Sequence, residues 1–146
     1  MIALDLGCSK KKRPGCIGID SSPNSDADII RDIERGLPFS DQTVDAIYAS
    51  HFLEHVRDLN FVMNECWRVL KIGGVMEISV PHRDAPESDW DPSHVRRFAE
   101  ETFLYYSDHP HWAEHRQIMG IAACFAARKL ERDGWQILVK FEKMSC

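Results

Sequence analysis

Residues 44–81 read VDAIYASHFLEHVRDLNFVMNECWRVLKIGGVMEISVP, and the change of hydrophobic period inside this stretch decides the fold. The runs 44–49 (VDAIYA) and 75–80 (VMEISV) are short and apolar, the pattern of strands buried in a sheet. Between them Leu59, Val62, Met63, Cys66, Val69 and Leu70 recur at helical spacing and form one apolar face. Asp58 stands where an N-cap carboxylate accepts from the first unpaired amides, and Gly73-Gly74 where a helix can end. Pro81, which has no amide to donate, stops the second strand. Strand, helix, strand is the unit of a parallel α/β sheet.

Toward the N-terminus three more apolar runs, 2–6, 16–19 and 27–30, end at Gly7, Asp20 and Arg31-Asp32, which adds three strands. Only nine residues, 7–15, separate the first two of them. A parallel crossover ordinarily takes a dozen or more residues and includes a helix. The first crossover helix is therefore expected to be nearly absent, leaving one sheet face thinly covered and open to a homodimer contact or another partner. Beyond Pro81 the sequence PHRDAPESDWDPSHVRRF is polar and broken by prolines, a loop over one end of the sheet, followed by a short helix over 99–106. The end of the chain reads either as a helix through IAACFAARKL or as two strands, 123–131 and 135–142, joined at Asp133-Gly134. Asp-Gly between such runs favours the antiparallel hairpin.

Composition narrows the function. A length of 146 residues, 44% hydrophobic and 28% charged, fits one globular domain spanning 1–146. Eighteen Lys and Arg against 23 Asp and Glu, a net charge of −5, leave no broad cationic surface, so nucleic acid is excluded as a partner class. The five cysteines, Cys8, Cys16, Cys66, Cys124 and Cys146, form no CxxC pair, so neither a disulfide framework nor a zinc ribbon follows. The first residues lack a signal-peptide core, and no stretch approaches the roughly 20 apolar residues that span a bilayer. A reduced, cytoplasmic protein without membrane attachment is the expectation.

In open α/β sheets, ligands bind beyond the carboxyl ends of the strands. Leu4-Asp5-Leu6-Gly7-Cys8-Ser9 is an acidic strand end running into a glycine turn, where backbone amides can approach a ligand. Asp20 follows the second strand and can accept two hydrogen bonds from a ribose diol. Asp32 closes the third.

With these pieces in place the sequence resembles the class I S-adenosylmethionine-dependent methyltransferases, in particular the small type-11 group. LDLGC at 4–8, GID at 18–20, DIERGLPF at 32–39, DAIYASHFLEHV at 45–56 and RVLKIGGVMEISVP at 68–81 occur in the family's order. The resemblance implies a Rossmann-like, mostly parallel sheet with S-adenosylmethionine as cofactor and S-adenosylhomocysteine as product. Residues 2–81 would form the cofactor half and 82–146 the acceptor side. It also implies that Asp5 and Gly7, with the backbone of Cys8 and Ser9, face the methionine part of the cofactor. Asp20 would hold the ribose hydroxyls, Asp32 and the Ile33 backbone the adenine, and Ala49 and Ser50 the cofactor wall after the fourth strand. Two departures stand out: Ser9 replaces the second glycine of the family's loop, followed by Lys10-Lys11-Lys12-Arg13, and Ile72 replaces the proline of RVLKPGG.

Methyl transfer is an in-line displacement, so alignment and water exclusion matter most and no metal is required. A hydroxyl acceptor would gain from a general base, and His82, just after the fifth strand, and His94, in DPSHVRRF, are the candidates. For His94 a structural hydrogen bond anchoring its loop is the preferred reading. Arg83, Arg96 and Arg97 read as acidic-acceptor contacts or as solvated surface, and the Lys10 to Arg13 run as a cofactor-carboxylate contact or a solvated loop. His51 and His55, four apart in HFLEH, could mimic a metal-binding helix face, but HFLEH is not HExxH and a structural or cofactor-side role is preferred. His109, His111 and His115 near Trp112 read as a lid, a surface loop or a metal cluster. The small loop-built cap after Pro81 suits either a small polar metabolite or sugar, the preferred acceptor, or a larger substrate whose bulk stays outside. The rivals are a non-catalytic module that holds the cofactor or a partner, and a nicotinamide-dependent oxidoreductase, which the missing GxGxxG disfavours.

Overall fold

In the computed structural model, which describes residues 1–145, seven strands form one sheet. They are β1 (Ala3–Leu6), β2 (Ile17–Asp20), β3 (Ile29–Ile30), β4 (Val44–Ser50), β5 (Leu70–Pro81), β6 (Phe125–Asp133) and β7 (Gln136–Lys143), in the order β3-β2-β1-β4-β5-β7-β6. The pairings among β1 to β5 are parallel, and β7 pairs antiparallel with both β5 and β6. The C-terminal segment is thus the hairpin and not the helix, with Gly134 at φ +62° in its turn. The expected third strand shrinks to two residues. Cys8, Cys16 and Cys66 are buried free thiols, and Cys146 lies outside the described residues.

Helix α1 (Leu59–Val69) makes the β4-to-β5 crossover. Asp58 caps it by accepting from the Phe61 amide at 3.0 Å, and Leu59, Val62, Met63, Cys66 and Val69 are its buried face. Its end differs from the expectation. The helix stops at Val69, four residues before the glycine pair, and Leu70 turns directly into β5. Lys143 from the last strand reaches back to donate to Trp67 O at 2.6 Å and Leu70 O at 2.9 Å, so a cation satisfies carbonyls that a glycine cap would otherwise leave to solvent. Gly74 serves a different purpose, at the register slip between β4 and β5. A Cβ there would stand 2.8 Å from Lys71 O and 3.2 Å from Asp45 O, so the backbones approach too closely for any side chain.

No helix links β1 to β2, and none longer than a 3-10 turn (Ile33–Arg35) links β3 to β4. Ionic hydrogen bonds hold those links instead. Arg68 on α1 binds Glu65 at 2.6 Å and Asp41 at 2.8 Å and donates to Phe39 O and Leu37 O, while Glu65 also accepts from the Leu37 amide. The Arg68 guanidinium holds the Glu65 carboxyl below its usual range. The consequence for packing is one-sided. On one face the core contains the helical residues and most buried strand residues; among the described residues the second, small cluster is Ala3, Cys16 and Ala46, with Tyr48 and Val75 against them. The thin face expected from the short first crossover is present.

Past β5 the chain forms the short helices α2 (Glu87–Trp90), α3 (Glu100–Leu104) and α4 (Ala113–Ile118), of which α3 matches the helix expected over 99–106. Among the described residues no helix is long and apolar enough to cross a membrane. The loop region is fastened to the sheet by aromatic rings: Phe98 stacks on Phe103 at 5.4 Å, Phe103 meets Phe141 at 6.4 Å, and Phe141 stacks on Phe125 at 4.9 Å. Phe141→Ala should therefore lower stability by about 3–5 kcal/mol in urea unfolding. A loss below about 1 kcal/mol would show that the terminal hairpin is not part of the core.

Candidate functional site

A cleft of about 440 Å³ opens beyond the carboxyl ends of β1, β2 and β4, lined by Gly7, Ser9, Asp20, Ser21, Arg31, Asp32, Ile33, Glu34, His51, Phe52, His55 and Val56. Gly7 forms its floor. It adopts φ +65°, and a Cβ on it would lie 2.4 Å from Phe52 Cδ1, so the chain can turn under the Phe52 ring only without a side chain. Ser9 follows at φ +50°, and its amide donates to Asp20 Oδ2 at 3.0 Å. Asp20 Oδ1 accepts from the Ser22 amide at 2.8 Å. One carboxylate thereby joins the loops after β1 and β2, and each oxygen keeps a lone pair for a ligand. Asp32 caps the 3-10 turn by accepting from the Glu34 amide at 3.0 Å, and Glu34 closes the cleft by accepting from the Arg57 and Asp58 amides.

Five of the expected cofactor residues, Gly7, Ser9, Asp20, Asp32 and Ile33, thus meet at one cleft. The other four stand elsewhere. Asp5 is buried and accepts from the Arg13 amide at 2.8 Å, so it holds the loop behind the floor. Cys8 is buried against Gly18, and burial pushes its thiol up. Ala49 and Ser50 border a separate groove with Tyr48, Glu77 and Lys140. Within the basic run, Lys12 pairs with Asp28 at 3.0 Å and Arg13 lies over the Tyr48 ring at 3.9 Å, so both serve the fold.

The histidines separate into two environments. His82 is buried between Asp84 and Glu100: its Nδ1 accepts from the Asp84 amide at 3.1 Å, and its Nε2 stands 2.9 Å from Glu100 Oε1. It does not line the cleft. His94 belongs to the other environment, where its ring meets that of His55 edge-on at 5.0 Å. Arg96 donates to Val56 O and Arg57 O, and Arg97 pairs with Asp89, so both hold the loop. Tyr105, Trp112 and His115 border a different depression with Arg57 and Met119, apart from the cleft.

The sequence pattern does not single out Glu54. Glu54 is 1% exposed at the centre of His51, His55 and His94, and burial pushes its carboxyl up to about 7. Its signal was present in HFLEH, but the spacing drew attention to the histidines on either side. Its third neighbour, His94, comes from a loop about 40 residues downstream, which no local pattern reveals. Arg31, Glu34, Phe52 and Val56 were likewise passed over, although Glu34 lies inside the quoted stretch DIERGLPF.

The profile of the family described as "Methyltransferase domain" matches residues 4–78. A "probable S-adenosylmethionine-dependent methyltransferase" of Mycolicibacterium smegmatis is 34% identical over 64 residues, 41% of this chain and 25% of the relative, so the chain spans about a quarter of that protein's length. Among solved structures, an S-adenosylmethionine-dependent methyltransferase of Archaeoglobus fulgidus superposes with a TM-score of 0.68 at 15% identity, over 97% of this chain and 85% of the other. One from Mesorhizobium loti does so at 0.66 and 16%, over 97% and 90%. At such identities the superpositions establish the fold. A test of the cleft floor follows from its geometry: Gly7→Ala should destabilise the protein by about 1–2 kcal/mol, the cost of left-handed backbone with a Cβ, with any displacement of Phe52 adding to it. Thermal unfolding measures this, and an unchanged midpoint would contradict the described packing.

Proposed function

This chain belongs to the methyltransferase-domain family, whose cofactor is S-adenosylmethionine, and we propose that it transfers the cofactor's methyl group to a small polar acceptor, a metabolite or sugar. The observation that carries the reading is the pair of carboxylates, Asp20 and Asp32, set at successive strand ends around a glycine-floored cleft of about 440 Å³. That volume lies within the range of about 300–1,000 Å³ usual for small-molecule sites. The ligand is a net cation, and the cleft presents Asp20, Asp32 and Glu34 while Arg31 is turned to Gly36 O and Arg35 O. The residues present fit the group.

In this reading Asp20 takes the ribose hydroxyls, Asp32 and the Ile33 amide the adenine, and Gly7 with Ser9 the methionine end. Asp5 and Cys8 act behind the floor by fixing the loop that carries those amides, and Ala49 and Ser50 close the end of β4. When bound, the cofactor supplies an electrophilic methyl group on a sulfonium. The chain's part is to align an acceptor with it and exclude water. The acceptor enters on the rim formed by His51 and His55, with His94 behind them, whereas His82, tied between Asp84 and Glu100, positions its loop.

Asp20→Ala should weaken S-adenosylmethionine binding by about 1–3 kcal/mol in isothermal titration, the loss expected for a hydrogen bond to a charged group. Unchanged affinity in a folded variant would remove Asp20 from the site. A wild-type chain that binds neither S-adenosylmethionine nor S-adenosylhomocysteine would overturn the proposal.

A further inference from the structure

Glu54 is a buried carboxylate enclosed by imidazoles that do not hydrogen-bond to it. The nearest nitrogens are His51 Nδ1 at 3.7 Å, His55 Nε2 at 3.8 Å and His94 Nε2 at 4.0 Å from Glu54 Oε1. Glu54 Oε2 and His94 Nδ1 bond to nothing among the described residues, although the two side chains are only 2% and 6% exposed. Buried polar atoms are ordinarily paired, and the unpartnered oxygen of this buried carboxylate calls for a missing partner.

The surroundings say what that partner is. One ligand atom each from Glu54, His55 and His94 lies within 4.8 Å of the other two. Ligands about 2.1 Å from a shared tetrahedral ion stand about 3.4 Å apart, so the set closes on an ion by shifts of roughly an ångström. His55 Nδ1 donates to Ser93 O at 3.1 Å, which fixes the proton there and leaves Nε2 as a lone-pair donor facing Glu54. Such a backbone-carbonyl support is the usual outer partner of a ligating histidine. The loop that carries His94 is fastened over the carboxylate by the Val95 amide donating to Glu54 O at 2.9 Å, and Asp91 Oδ2 stands 3.4 Å from His94 Nε2 as a further oxygen donor.

We propose that Glu54, His55 and His94 hold a first-row divalent metal ion, with Asp91 and His51 at its margin, at the rim of the cofactor cleft. Two imidazoles and a carboxylate suit Zn²⁺ or Mn²⁺ and leave coordination positions open. His51 and His55 also line the cleft, so those positions face the acceptor's entrance. The use of the site rests on the methyl-transfer reading: an acceptor hydroxyl in the open position would be oriented and made more acidic by the ion. His94 then acts as a ligand rather than as a general base.

The test is titration of chelator-treated full chain with Zn²⁺ and with Mn²⁺, by calorimetry and by Mn²⁺ paramagnetic resonance, without cofactor. One ion should bind per chain, with affinity reduced about tenfold or more in His55→Ala and in Glu54→Gln, and retained both in Asp20→Ala and in the triple variant His109→Ala, His111→Ala, His115→Ala. His55 is partly exposed, so its variant remains informative if Glu54→Gln does not fold; circular dichroism checks both. No binding to the wild-type chain, unchanged affinity in the folded Glu54 and His55 variants, or loss of binding in the triple variant would each overturn the inference. Cofactor titration in the presence of chelator is read separately, so either proposal can fail while the other stands.

Discussion

Between the end of β1 at Leu6 and the start of β2 at Ile17 the chain must return to the other edge of its neighbour without room for a helix, and the site depends on how that link is held. Carboxylates do it. Asp5 accepts from the Arg13 amide, Asp28 accepts from the Gly18 amide and from Lys12, and Asp20 accepts from the Ser9 amide. Charge-assisted hydrogen bonds of this kind are shorter and stronger than neutral ones, and here they replace the apolar packing of a crossover helix. The replacement fixes the loop without covering the sheet, which is why one face carries so small a cluster while the other holds the core. It also places Gly7 and Ser9 in left-handed backbone conformations.

The cleft beyond the strand ends was legible because its parts are local. Each of Gly7, Asp20 and Asp32 lies within a residue or two of a strand end, and strand ends follow from runs of apolar residues bounded by turn formers. The helix face from Leu59 to Val69 and its Asp58 cap were readable for the same reason. What failed was decided at a distance. The helix ends before Gly73-Gly74 because Lys143, more than 70 residues on, caps its carbonyls, and Gly74 is required by the passing backbone of Asp45. Asp5 reads as a ligand-facing acid in sequence but spends its carboxylate on the Arg13 amide, a contact set by the fold of the loop. Glu54 acquires its surroundings only when the loop around Val95 closes over it.

Glu54 and Asp20 show how position governs the surroundings of a carboxyl group. Asp20 accepts two backbone amides and faces the open cleft. Glu54 Oε2 accepts nothing and the side chain is shut away from water, so its charge is opposed by desolvation and needs a cation close by. The two acids thereby have different surroundings, an open cleft in one case and the imidazole cluster in the other.

The two clusters are mechanically joined. Arg96 clamps Val56 O and Arg57 O, and the Val95 amide clamps Glu54 O, so the loop carrying His94 is stapled to the segment 53–57 that supplies His55 and Val56 to the cleft wall. Glu34, on the cleft's far side, binds the Arg57 and Asp58 amides next along the same segment. The cleft wall and the histidine cluster therefore rest on the same few backbone groups. The link is local: one short, hydrogen-bonded stretch of chain is shared between the cleft wall and the histidine cluster.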